Sequence, residues 1–309
     1  MLNNLFIFVV ALFLVIKGSI LSTRYATRLA GNYNISKYIV GFIIVAGISI
    51  LPETLISVNS AFEGVSSFGL GVLLGSNVAD LTLVFAMVIF LTGRNLKIES
   101  KVFKYHIIYP LILVLPLILG LNGHFSRLEG VALILAGCMF YYLTLKNNFI
   151  SDTANEEKGK KISNIIYLLL SLAMLLTGSH FTVTSGTAIA SQIGISPILI
   201  GMLVVGLGTT IPEFFFSLNA VKEKSDSLAV GDILGTVLSD ATIVVGILAL
   251  ISPFYFPKKI IYITGVFMVV GAFILLKCMR SGRTLTRREA GFLFAFWLTF
   301  VAVEFMVSL

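Results

Sequence analysis

Four carboxylates stand inside apolar stretches of this chain, in two pairs of identical spacing. Glu53 and Asp80 are 27 residues apart, and so are Glu213 and Asp240. The first pair is framed by Ser49-Ile50-Leu51-Pro52-Glu53 and Gly75-Ser76-Asn77-Val78-Ala79-Asp80. The second is framed by Thr209-Thr210-Ile211-Pro212-Glu213 and Gly235-Thr236-Val237-Leu238-Ser239-Asp240. A charged residue at the centre of a membrane helix costs about 2.5–3.5 kcal/mol on insertion scales, so such residues mark ion or proton pathways by default. Carboxylates held near one another repel, and bound cations or protons relieve the repulsion.

The neighbouring residues add oxygen ligands. Pro52 and Pro212 lack an N–H and crowd the carbonyl four residues earlier, which predicts loosened carbonyls around Ile48 and Gly208. Irregular backbone at membrane depth is tolerated only where it is buried or lines a cavity. Ser49, Glu53 and Ser57 share one helix face, as do Thr209, Glu213 and Ser217. Ser76 lies one turn before Asp80, and Thr236 one turn before Asp240. All these candidates are hard oxygens, which suit Ca²⁺, Mg²⁺, Mn²⁺ and Na⁺ rather than Zn²⁺ or Cu⁺. Mixed, flexible carboxylate and carbonyl ligation favours Ca²⁺ over Mg²⁺, which dehydrates reluctantly. Gly71 with Gly75, and Gly231 with Gly235, are small residues four apart that let helices approach closely.

The elements that must position these groups are duplicated. Shifted by 160 without a gap, positions 41–82 match 201–242 at 13 of 42 places. The chain has 309 residues, 57% hydrophobic and only 12% charged. A soluble domain carries about 25% charge, so the composition is that of an integral membrane protein. Ten apolar stretches approach the 20 or so residues needed to cross a bilayer, near 2–22, 37–61, 67–92, 104–121, 127–146, 163–184, 195–221, 228–252, 258–278 and 287–307. A polar segment at 147–162 joins two five-span halves, 1–146 and 163–309.

Of the 22 Lys and Arg residues, 19 fall in or beside the gaps after spans 1, 3, 5, 7 and 9; Arg127, Lys258 and Lys259 lie on the other side. The positive-inside rule puts both termini outside and the central linker in the cytoplasm. Each half has an odd number of spans, so the halves are inverted, as in carriers whose site lies at the repeat interface. The net charge of +7 does not mark a nucleic-acid binder, because the basic residues sit between spans rather than on one face. Cys138 and Cys278 fall in spans and read as packing residues rather than a disulfide; His106, His124 and His180 form no cluster. The N-terminus lacks a basic region before its apolar stretch, which reads as a retained span.

These residues resemble the two α-repeats of the calcium/cation antiporter superfamily, the sodium/calcium exchangers. The family pattern is roughly G-T-S-x-P-E followed by G-S-N-x-x-N/D, once per half. Gly208–Glu213 and Gly75–Asp80 match it closely. The resemblance implies an all-α membrane protein of ten transmembrane helices in two inverted five-helix repeats. Spans 2, 3, 7 and 8 would enclose the ions, and spans 1 and 6 would slide across them. It implies Glu53 and Glu213 as ligands shared by Ca²⁺ and Na⁺. Asp80, Asp240, Ser49, Thr209, Thr210, Ser76 and Thr236 would support them, with backbone at Ala46 and Gly206.

The first motif departs from the pattern, with Ile48 at a glycine position and Ile50 in place of a hydroxyl. Asp80 stands where exchangers commonly have Asn, and Val237 replaces the Asn of the second G-S-N.

The expectation is a secondary antiporter of the plasma membrane, not an enzyme, exchanging Ca²⁺ for Na⁺ without a cofactor. H⁺, K⁺ or another divalent ion are alternative partners in the same fold. A cation channel is the alternative of another class, and an intramembrane aspartyl protease built on Asp80 and Asp240 would leave both glutamates unexplained.

Overall fold

A computed structural model describes residues 2–33, 37–62, 64, 66–99, 108–148, 161–192 and 205–308. Most of the central linker and His106 lie outside them. Apolar runs this long must satisfy their backbone internally, and they do so as helices. The elements are α1 (Leu2–Tyr33), α2 (Lys37–Ser49), α3 (Leu51–Phe62), α4 (Ser66–Thr92), β1 (Leu96–Lys97), α5 (Ile108–Asn122), β2 (His124–Phe125) and α6 (Arg127–Asn148). After the linker come α7 (Lys161–Gln192), α8 (Gly206–Thr209), α9 (Ile211–Lys222), α10 (Asp226–Ile251), β3 (Phe254–Tyr255), α11 (Ile260–Arg280), β4 (Thr284–Leu285) and α12 (Arg287–Ser308). Seven of the described helices are long and apolar enough to cross a membrane; α2 with α3, bent by 41°, makes an eighth, and α5 is shorter.

The duplication is visible element by element. Adding 160 carries α3 onto α9 and α6 onto α12 without a shift. Within α4 a π-helical turn spans Asp80–Val84, and within α10 its counterpart spans Asp240–Val244. A π-turn releases a carbonyl from the regular ladder. In both halves the threonine two residues after the aspartate helps satisfy it: Thr82 Oγ1 donates to the Val78 carbonyl at 2.5 Å, and Thr242 Oγ1 to that of Leu238 at 2.6 Å.

Helices α4 and α10 cross at the centre of the molecule, and nearly all their side chains are buried. Asn77 Nδ2 donates to the Val237 carbonyl at 3.4 Å. Asn77 and Val237 are 160 residues apart, so equivalent positions of the duplicated sequence meet here. The Arg94–Asp226 ion pair joins the end of α4 to the start of α10, so the two helices run antiparallel.

Two short antiparallel ladders tie the halves together. β1 pairs with β4 through Leu96–Leu285, and β2 pairs with β3 through Phe125–Phe254. Lys37 donates to Ser225, Lys97 N–H to Asp226, and Ser227 to Glu99. The connections after spans 1, 3, 7 and 9 therefore gather at one end, and those holding β2 and β3 at the other. This is the grouping that the basic residues showed.

Glycines set the closest approaches. A Cβ on Gly41 would strike the Leu228 carbonyl, and one on Gly231 the Tyr38 carbonyl, so α10 lies directly on α2. No described residue lies within 4 Å of a Cβ on Gly71. Cys138 and Cys278 are both free thiols; Cys138 is exposed on the surface of α6 rather than packed inside.

Candidate ion-binding site

The helix breaks come first. At Ile50 the backbone turns to φ −70°, ψ −6°, and at Thr210 to φ −77°, ψ −4°. These near-zero ψ values open the chain at equivalent positions, two residues before each proline. The Ile48 and Gly208 carbonyls, which Pro52 and Pro212 leave without an N–H in the next turn, face the N–H groups of Ile50 and Thr210 two residues on. The Ala46 carbonyl accepts from Ile50 N–H at 3.1 Å, and the Gly206 carbonyl from Thr209 Oγ1 at 2.9 Å.

Each break starts a new helix with its glutamate in the first turn, where the N-terminal end of the helix dipole favours negative charge. Glu53 and Glu213 are buried, at 1% and 0% exposure. Ser49, Ser57, Thr209 and Ser217 on the same faces are buried with them, while Leu51 and Leu55 on the opposite face of α3 are exposed. The breaks pack against the opposite repeat, the end of α2 on α10 and α8 on α4. Thr209 lies beside the Glu53 carboxylate.

Asp80 and Asp240 enter from α4 and α10 at the start of their π-turns, both buried. Asp80 lies within electrostatic range of Glu53, and so does Asp240; Glu213 is in range of both Glu53 and Asp80. Two tyrosines brace α10 beside this point. Tyr109 hydroxyl donates to the Leu234 carbonyl at 2.8 Å, and Tyr141 hydroxyl to that of Gly235 at 3.0 Å.

The hydroxyl ligands proposed from spacing differ in their partners. Ser76 Oγ donates to the Leu73 carbonyl at 3.0 Å and Thr210 Oγ1 to that of Leu207 at 2.8 Å, each within its own helix. Their lone pairs remain for a cation, but their protons are committed. Thr236 Oγ1 and Ser217 Oγ are buried and find no partner among the described residues.

Spacing alone missed a fifth carboxylate. Asp232 is fully buried in α10, one turn before Thr236, and accepts a hydrogen bond from Ser49 Oγ at 3.3 Å. Its position in the first repeat holds Val72, so a search for duplicated residues passes over it. Its depth within an apolar run was the available signal.

Seven buried carboxylate oxygens find no hydrogen-bond partner among the described residues: Glu53 Oε2, Asp80 Oδ1, both of Glu213, Asp232 Oδ2 and both of Asp240. Native proteins leave few buried polar atoms unpaired. At about 2.5–3.5 kcal/mol per residue, five uncompensated carboxylates would cost as much as the entire stability of a typical domain, about 5–15 kcal/mol. Cations or protons must therefore complete this constellation. Among the described residues no three acidic, His or Cys side chains form one metal-binding group. A cation held here would draw on carboxylates from both repeats together with hydroxyls and carbonyls.

Known proteins share this architecture. The putative antiporter CaxA of Alkalimonas amylolytica is 30% identical over 242 residues, covering 74% of each chain. The sodium/calcium exchanger MaX1 of Methanosarcina acetivorans is 23% identical and aligns with 98% of this chain and 99% of its own length. The solved sodium-calcium exchanger NCX_Mj superposes with a TM-score of 0.84 at 21% identity, covering 97% of both chains. The description "sodium/calcium exchanger protein" attaches to a family that matches residues 3–146 and 163–306, so nearly the whole chain is accounted for. With duplicated helix breaks, antiparallel central helices and unpaired carboxylates at their crossing, the chain belongs to the sodium/calcium exchanger family of cation antiporters.

Proposed function

We propose that this protein exchanges Ca²⁺ for Na⁺ across the plasma membrane by alternating access, with Glu53 and Glu213 as the shared ligands. The observation that carries the reading is the set of seven unpaired carboxylate oxygens where two equivalent helices cross. Carboxylates, hydroxyls and carbonyls from two symmetric breaks are the ligand types that hard cations take. Asp80, Asp240, Ser49, Ser76, Thr209, Thr210 and Thr236 supply further oxygens, with the backbone of Ala46 and Gly206. Support for the ion pair comes from two relatives: MaX1 carries the name sodium/calcium exchanger, and NCX_Mj has been soaked with Na⁺, Ca²⁺ and Sr²⁺.

In this reading ten membrane helices form two inverted repeats, 1–146 and 163–309, joined by a cytoplasmic linker at 147–162. The basic end faces the cytoplasm and both termini face outside. Helices α1 and α7, which pack on each other and touch the breaks, are the elements that slide. The test is uptake of radioactive calcium into proteoliposomes under imposed Na⁺, K⁺ or H⁺ gradients. Uptake driven by outward Na⁺ alone supports the reading. Uptake driven only by H⁺ or K⁺ reassigns the coupling ion, and current without coupling indicates a channel.

A further inference from the structure

We propose that Asp232 and Ser49 form an Na⁺ site of their own, off the pseudo-twofold axis and present in only one of the two half-sites. The proposal deepens the exchange reading and rests on it. Asp232 is fully buried, and its Oδ2 has no partner among the described residues. Its Oδ1 stands 3.3 Å from Ser49 Oγ, long for a hydroxyl–carboxylate hydrogen bond. Two oxygens that each bind a cation at about 2.4 Å, about 90° apart, stand about 3.4 Å from one another. The observed separation is thus that of two ligands sharing one ion.

Charge selects the ion. One carboxylate and one neutral hydroxyl neutralise a single positive charge, whereas a divalent ion would leave a buried net charge. The site also repairs a local deficit. Ile50 offers no hydroxyl where the second half has Thr210, so the first break is short of one oxygen. Asp232 reaches that break from the opposite repeat, because Gly231 and Gly235 let α10 lie on the α2 backbone, against the Tyr38 and Phe42 carbonyls. The equivalent position facing Thr209 is Val72, and Thr209 Oγ1 donates to the Gly206 carbonyl instead. The asymmetry is therefore built from two compensating exchanges, a hydroxyl lost at 50 and a carboxylate gained at 232.

The test is Asp232→Asn, which keeps an acceptor for Ser49 and removes the charge. It is compared with wild type by the half-saturating Na⁺ for calcium release from proteoliposomes, and by equilibrium binding of radioactive sodium and calcium to the purified protein. The expected result is Na⁺ affinity lowered about tenfold or more, with Ca²⁺ affinity lowered less than about threefold, since Asp232 touches the Na⁺ and not the Ca²⁺. Equal shifts for both ions, or none, overturn the proposal and leave Asp232 as a hydrogen-bond acceptor only. If Asp232→Asn does not purify as a monodisperse protein, Ser49→Ala carries the test. It removes one oxygen without changing charge, and must lower Na⁺ affinity more than Ca²⁺ affinity. If wild type shows no Na⁺-driven flux, the exchange reading fails by itself. Sodium binding that depends on Asp232 would then still uphold the site, and its absence from wild type would sink both.

Discussion

Glu53 and Glu213 each sit in the first turn of a helix that begins just after a break, and each keeps at least one oxygen unpaired. Replacing either with Gln keeps shape and removes the charge that offsets cation desolvation. Calcium flux in proteoliposomes is expected to fall by about a hundredfold or more, corresponding to roughly 3 kcal/mol of lost ion stabilisation. Near wild-type flux in either variant would remove these residues from the centre of the site. All the site residues named from spacing are buried, but spacing did not show where their hydroxyls point. Ser76 and Thr210 turn back to their own helices, a choice made by local geometry. Asp232 escaped notice because repetition was the criterion, and Asp232 has no repeat mate.

At the scale of elements, the apolar runs and their duplication were legible, and the helices fall where those runs lie. The π-turns were not. One extra residue turns the following face by about 100°, but these helices are buried all round and carry no polar face to register the shift, so Asp80–Val84 reads as ordinary helix. What the sequence does carry is the Asp-x-Thr of both repeats, whose threonine caps the released carbonyl. The glycine contacts give a sharper check. Gly41→Ala should destabilise the protein by about 1–3 kcal/mol, because its Cβ meets backbone that cannot move aside. Thermal unfolding in detergent measures this, and an unchanged midpoint would show that α2 and α10 can separate at no cost.

Across the whole molecule, charge and structure agree on two ends. Arg94, held above its usual pKa by its hydrogen bonds with Asp226, ties the connection after α4 to the one between α9 and α10 at the basic end. Removing it leaves Asp226, 6% exposed, without its cation, and Arg94→Ala is expected to lower stability by about 2 kcal/mol, below the 3–5 kcal/mol of a fully buried pair. A thermal scan of that variant with no shift would make the pair incidental. Sidedness is checked by labelling: cysteines placed at Lys97 and Lys258 should react from opposite faces of the membrane, Lys97 from the cytoplasm. Labelling of both from one face would contradict the inverted arrangement.

The two ladders each take one strand from either half, so neither half can complete its own. Together with the antiparallel crossing at Asn77 and Val237, they make the halves behave as partners rather than as consecutive parts of one fold. Severing the chain within 149–160 should then be survivable. Fragments 1–148 and 161–309, produced together, are expected to find each other in the bilayer and restore calcium flux, whereas either fragment alone should be degraded. On this view the protein is a heterodimer that happens to be translated as one piece.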